Sequence, residues 1–308
     1  MKRKVIQVAD KTLMISLPLA WVKQHDIKKG DEIEVDEAGE NLLLYPGDST
    51  QSKLITIDIS FLNERVIRWY LSALHKSGFD EISIKYHNPE QLKLIYSLMK
   101  NLFTGFNIIS ETDNSVVLKN ISKDNKDEFD QALRRAFRVT ISMGKELLDC
   151  INNKDFVKLG MITEKELLNN QLTNFCERLL NKYKFSDKTT FLYTIIWNLE
   201  KVCDNYKYII DEINNWIKSY GNAININVSD DVLNVFNSIN LYLEQYYNLY
   251  YNFNIELMNK ITDMNKSIKQ NISMIDKNDK FNLIIINHLN VLLTQTTDFS
   301  ASIIALNC

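Results

Sequence analysis

The 308-residue sequence predicts a mainly helical, multidomain chain, and three observations carry that prediction. First, Pro18, Pro46 and Pro89 are all its prolines, and five of its eight glycines (Gly30, Gly39, Gly47, Gly78 and Gly105) precede residue 106. Such residues punctuate turns and break helices, so short elements are expected in the first third and long helices beyond it. Second, from Phe129 onward apolar residues recur at spacings of three and four (Phe129, Leu133, Phe137, Ile141), the period of a helix with one buried face. Third, residues 53–121 switch between alternating and helical patterns, as a small α/β layer does. A composition of 45% hydrophobic and 24% charged residues fits an ordinary globular chain.

Residues 1–48 come first. "RKVIQVADKTLMISLP" offers two strands around the polar turn "ADKT", and Pro18 ends the pairing because it has no N–H to give. "LAWVKQHD" makes one or two helical turns. "IKKGDEIEV" and "NLLLYP" form a second strand pair, with Gly30 in a tight turn and "DEAGE" as the connection. So small a unit buries little apolar surface alone, and a homodimer that closes its core is expected. Charge is segregated within it. Lys2, Arg3, Lys4, Lys11, Lys23, Lys28 and Lys29 are offset before residue 31 only by Asp10 and Asp26, whereas acids alone follow as far as Asp48. The net charge of the whole chain is -3, so it is no basic coat, but this leading surplus of five positive charges suits double-stranded DNA. Terminal lysines are also commonly just solvated.

Residues 53–121 read strand ("LITIDI"), helix ("NERVIRWYLSALHKSG"), strand ("EISIKY"), helix after Pro89, and two strands ("FNIISET", "SVVLKNI") around Asp113 and Asn114. Residues 126–308 then divide at "NNKD", "KFSDK", "SYGNAININVSD", Asn252 to Asn254 and "DKNDK" into about six helices, with Gly221 separating two three-helix halves.

Cys150, Cys176 and Cys203 fall at helical spacings that suggest core positions, and with Cys308 they form neither a CxxC pair nor a cluster with histidine. The basic start lacks an apolar run behind it, and "NLIIINHLNVLL" is too short and too polar to span a bilayer. A cytoplasmic protein without membrane insertion is expected. There is no phosphate-binding glycine loop, nucleophile elbow or plausible Cys–His pair, so no enzyme is predicted. His288 reads as a core histidine, and the aromatics from Tyr242 to Phe253 as packing.

The helical part carries one further signal. Glu200 and Asp204 are four apart, as are Glu166 and Asn170 on the preceding helix, so each pair occupies one helix face. Neighbouring helices projecting such oxygens can enclose a hard cation such as magnesium, calcium or manganese, with iron as a further candidate. Acid pairs at this spacing also occur on many solvated faces, where Lys201 or Lys207 would offset them.

Two resemblances follow from these residues. Arg3, Lys4, Val5, Gln7, Ser16, Leu17, Pro18, Trp21, Gly30 and Asp31 resemble the AbrB and MazE type of swapped-hairpin DNA-binding domain, in the variant that heads archaeal PhoU-like phosphate uptake regulators. The resemblance implies a dimeric β-barrel of exchanged hairpins with Lys2, Arg3, Lys4, Gln7 and Lys11 facing DNA. Leu19 stands where relatives carry lysine, and "ADKT" replaces a glycine-containing turn. "LEKVCDNYK" and "EKELLNNQLTNFCERLL", with Arg178, resemble the PhoU domain, which implies a metal, usually iron or zinc, at Glu166, Asn170, Glu200 and Asp204. In the second half Asn259 and Thr294 stand four residues before Asp263 and Asp298, a degenerate version of the motif. Together these imply a DNA-binding transcriptional regulator of phosphate uptake that senses metal, phosphate or a partner. The rival implication is a PhoU-type accessory protein that acts without DNA by docking on a phosphate transporter or its signalling kinase.

Overall fold

A computed structural model describes the chain except for residues 1, 9–10, 39–40, 47–52, 123, 184–187, 221–225 and 277. Parts of the expected turns "ADKT" and "DEAGE", the boundary at residues 47–52, most of "KFSDK" and the break at Gly221 lie outside the described residues. The chain divides into two compact units, Met1–Ser52 and Lys53–Cys308.

In the first unit, β1 (Ile6–Val8) pairs antiparallel with β2 (Thr12–Met14), and Gln7 lies opposite Leu13. A short helix, α1 (Leu19–Gln24), follows Pro18, whose φ of -63° suits a helix start and whose carbonyl accepts the Val22 N–H at 3.0 Å. β3 (Ile33–Ala38) then pairs with β4 (Asn41–Pro46), Val35 opposite Leu44. β3 runs through Asp36 and Glu37, so the connection is shorter than the expected "DEAGE". The two hairpins form separate two-stranded sheets.

The second unit begins with a four-stranded sheet in the order β5-β6-β8-β7, formed by β5 (Leu54–Asp58), β6 (Glu81–Lys85), β7 (Phe106–Thr112) and β8 (Ser115–Asn120). β5 and β6 are parallel and linked by α2 (Glu64–Lys76). Asn63 caps α2 by accepting the Val66 N–H at 3.0 Å, and Asn88 caps α3 (Pro89–Leu102) by accepting the Gln91 N–H at 2.9 Å. After a bulge between Ile108 and Ser110, β7 turns back into β8, which inserts beside β6. Ile57, Ile82, Ile84, Val116 and Leu118 form the buried face of the sheet against Ile67, Leu71 and Ile95 of the helices.

Seven α-helices follow among the described residues: α4 (Glu128–Asn152), α5 (Leu159–Tyr183), α6 (Thr189–Tyr220), α7 (Asp230–Tyr251), α8 (Ile255–Met274), α9 (Lys280–Thr297) and α10 (Phe299–Asn307). The break at Asp298 that separates α10 has no proline or glycine to announce it, and the sequence pattern did not reveal it. α4, α5 and α6 pack on one another, as do α7, α8 and α9, and the two sets share one apolar core. Cys150, Cys176 and Cys203 lie inside it, while His288, expected in the core, is only half-buried, with Nδ1 3.4 Å from the Asn205 amide oxygen. Gly144 of α4 lets α6 approach: its carbonyl accepts the Asn240 amide at 2.9 Å, and Tyr206 Oη donates to the Asn240 amide oxygen at 2.7 Å. No helix of the described residues is long and apolar enough to cross a membrane.

α5 also packs against α2 and α3, so the α/β layer and the bundle are joined. The expected connection near residues 122–127 is pinned to that joint. Arg178, fully buried, donates to Asp80 at 2.5 Å, to Asp124 at 3.0 and 3.1 Å and to the Phe79 carbonyl at 2.6 Å. Lys182 reaches the same two carboxylates at 2.7 and 2.8 Å. Burial would raise the Asp124 pKa, but Arg178 and Lys182 outweigh it and hold the group below its usual value.

Candidate functional site

Among residues 2–46, no residue whose exposure is described is buried. Side chains alternate along a strand, so Ile6, Val8 and Met14 share one face of the first hairpin, and Ile33, Val35, Leu42 and Leu44 share one face of the second. Ile6 remains 57% exposed, Met14 50%, Val35 53% and Leu42 61%, so each hairpin has an apolar face that the described chain leaves uncovered.

The cations expected to meet DNA surround this apolar surface in sequence. Lys2, Arg3 and Lys4 lead into β1, Gln7 lies within it, and Lys11 stands at the entry to β2; all five are exposed. The turn after α1 presents two more. Asp26 adopts φ +49° and Gly30 φ +102°, and the Asp31 carboxylate accepts the Lys28 N–H at 2.7 Å, which closes "KKGD" into a compact loop. Gly30 is required there because its conformation lies in the left-handed region. Lys29 and Lys28 are exposed on the loop, with Lys28 3.1 Å from Asp26.

Residues 6–52 match the family model of MazE, described as antidote-toxin recognition, bacterial antitoxin. The MazE-like segment thus contains Gln7, Lys11, Pro18 and Gly30, whereas Lys2, Arg3 and Lys4 precede it. Its end coincides with the end of the first compact unit. No curated protein and no solved structure matches the chain.

The second candidate site lies where α5 meets α6. Glu166 accepts the Asn170 amide at 2.7 Å and is 3.5 Å from Lys207. Asp204 accepts from Lys201 at 2.7 Å, and Glu200 is 3.8 Å from Lys201 and 3.5 Å from Lys76 of α2. Two members escaped the sequence reading: Lys76, and Glu177, which is fully buried 2.9 Å from it. Burial pushes the Glu177 and Glu166 carboxyls up despite their lysine neighbours, and Glu200 with Glu177 raises the Lys76 pKa against burial, which alone would lower it.

The four residues expected to hold metal therefore do not fit one as they stand. Each carboxylate among them has an ammonium group close by, and the Asn170 amide is turned to donate. No group of three or more His, Cys, Asp or Glu suited to a metal ion occurs among the described residues. The expected iron, zinc, magnesium or manganese would have to displace the lysines beside Glu166, Glu200 and Asp204, while the Asn170 amide oxygen stays buried without a hydrogen bond.

Proposed function

We propose that this chain is a cytoplasmic DNA-binding transcriptional regulator, a binding protein and not an enzyme, that works as a homodimer through residues 1–48. The supporting observation is the first unit itself: two hairpins with uncovered apolar faces and a cluster of exposed cations, in a segment similar to MazE. A second copy supplies the missing half of the core by interleaving its hairpins, and the barrel so formed turns Lys2, Arg3, Lys4, Gln7 and Lys11 of both copies toward duplex DNA. Phosphate contacts then set the affinity, and Gln7, Arg3 and Lys11 are the groups capable of reading base edges. The assignment to phosphate uptake, and a control role for the bundle in answer to phosphate or to a partner such as a phosphate transporter or its regulator, rests on the PhoU-like motifs of the sequence.

A second reading, an antitoxin whose target is a toxin protein, is favoured by the name of the matched family. Against it stands the unit beyond residue 52, which is packed on cores of its own and is not an extended arm.

The test is a mobility shift on duplex DNA across a salt series, with Arg3→Ala, Lys4→Ala, Lys11→Ala as control. A dimer loses six cations in that variant, so the slope of log K against log salt should fall by roughly 5 if all six neutralise phosphates. Binding that is flat with salt, or equal in the variant, rejects the DNA reading. A Leu42→Asp variant should run as a monomer in light scattering; a variant that stays dimeric removes the interleaved-hairpin argument.

A further inference from the structure

We infer that Lys76, Lys201 and Lys207 take the place of a metal ion in the α5–α6 carboxylate cluster, so that the chain carries its own counter-charge there and Lys76 makes the cluster a joint between the α/β layer and the bundle. This inference stands independently of the DNA reading.

The acids come from two helices: Glu166 and Glu177 from α5, Glu200 and Asp204 from α6. Four carboxylates gathered at a helix–helix contact repel one another, and Glu177 at 0% exposure has no water to screen it. A buried carboxylate in such a place requires a cation. The structure provides three, at 2.7 to 3.8 Å, and leaves no acid without one. Lys201 spans Glu200 and Asp204 on its own helix, Lys207 meets Glu166 across the contact, and Lys76 bridges Glu177 and Glu200.

A divalent ion would have to displace these ammonium groups. They are tethered to the chain, have no lone pair to offer a metal, and repel a dication at these distances. Asn170 Oδ1 and both Glu177 carboxylate oxygens are buried without a hydrogen bond, but Glu177 has the Lys76 ammonium 2.9 Å away, and the neutral amide oxygen by itself does not hold a hard cation. Lys76 differs from the other two lysines in its origin. It is the last residue of α2, and Asn181 of α5 donates to its carbonyl at 2.9 Å, so its backbone and its side chain are both held by the bundle. A metal would close the cluster within the bundle alone, whereas Lys76 closes it with the α/β layer.

The test uses the full chain purified from medium supplemented with manganese, iron and zinc. Elemental analysis should find metal far below one ion per chain, and the melting temperature should be the same in EDTA as in millimolar manganese. Lys76→Met should melt roughly 5–15 °C lower in EDTA, because it strands buried Glu177, while Lys76→Arg, which keeps the charge, should recover most of the loss. One ion per wild-type chain whose removal lowers the melting temperature overturns the inference. So does a Lys76→Met variant that melts like the wild type in EDTA. The wild-type measurements decide even where a variant fails to fold.

Discussion

His75 lies at the junction of α2 with the rest of the second unit, fully buried and stacked on Phe103 with ring centroids 4.8 Å apart and planes 5° from parallel. Burial, and next the nearby Arg178 charge, lower its pKa from the ordinary 6.5 to about 3, against a smaller opposing pull from Asp124. Between those two pH values the unfolded chain takes up a proton that the folded chain refuses. The folded state therefore keeps its full stability above pH 6.5 and loses it progressively as pH falls toward 3. From pH 7 to pH 5 the loss integrates to about 2 kcal/mol, or roughly 4–8 °C in melting temperature. His75→Phe keeps a flat ring against Phe103 and removes the titration. Urea unfolding followed by helical circular dichroism at pH 7 and pH 5, on both proteins, isolates the effect, because every other titrating group is common to both. Equal pH dependence in wild type and variant would refute the claim that His75 is held neutral by burial.

Arg178→Met should destabilise the second unit by about 3–5 kcal/mol in urea unfolding, because it leaves the nearly buried Asp80 and Asp124 with Lys182 as their remaining cation. Gly144→Ala places a Cβ 2.6 Å from Tyr206 Cζ and from the Asn240 amide oxygen, in a core where Tyr206 has no exposed surface. It should cost about 1–3 kcal/mol by overpacking, with a crystal structure of the variant showing α4 and α6 pushed apart.

How much of this was legible in the sequence depends on the range of the interaction. Elements written in local patterns were readable: the two hairpins, the strand–helix alternation of residues 53–121, and the helices of the bundle at most of their breaks. Asn63 and Asn88 sit directly before the apolar periods they cap. α5 was harder, since Glu166, Asn169, Thr173, Glu177 and Arg178 are all buried and blur its apolar stripe. Glu177 lies seven residues beyond Asn170 and eleven beyond Glu166, on the same helix face, and that spacing was the available clue to its membership of the cluster. The leading cations were visible as charge segregation, a property of composition alone.

By itself, then, the sequence determined most of the segments that are strands and helices, and that the leading hairpins are too small to bury their own apolar faces. Propensity, periodicity and punctuation act over a few residues and need no knowledge of the fold. The tertiary structure alone decided that β8 enters between β6 and β7, that Arg178 clamps Asp80 and Asp124, and that Lys76 fills a carboxylate cluster about a hundred residues away in the chain. Those pairings depend on which helix faces meet, and a charge carries no mark of the partner that packing will bring to it.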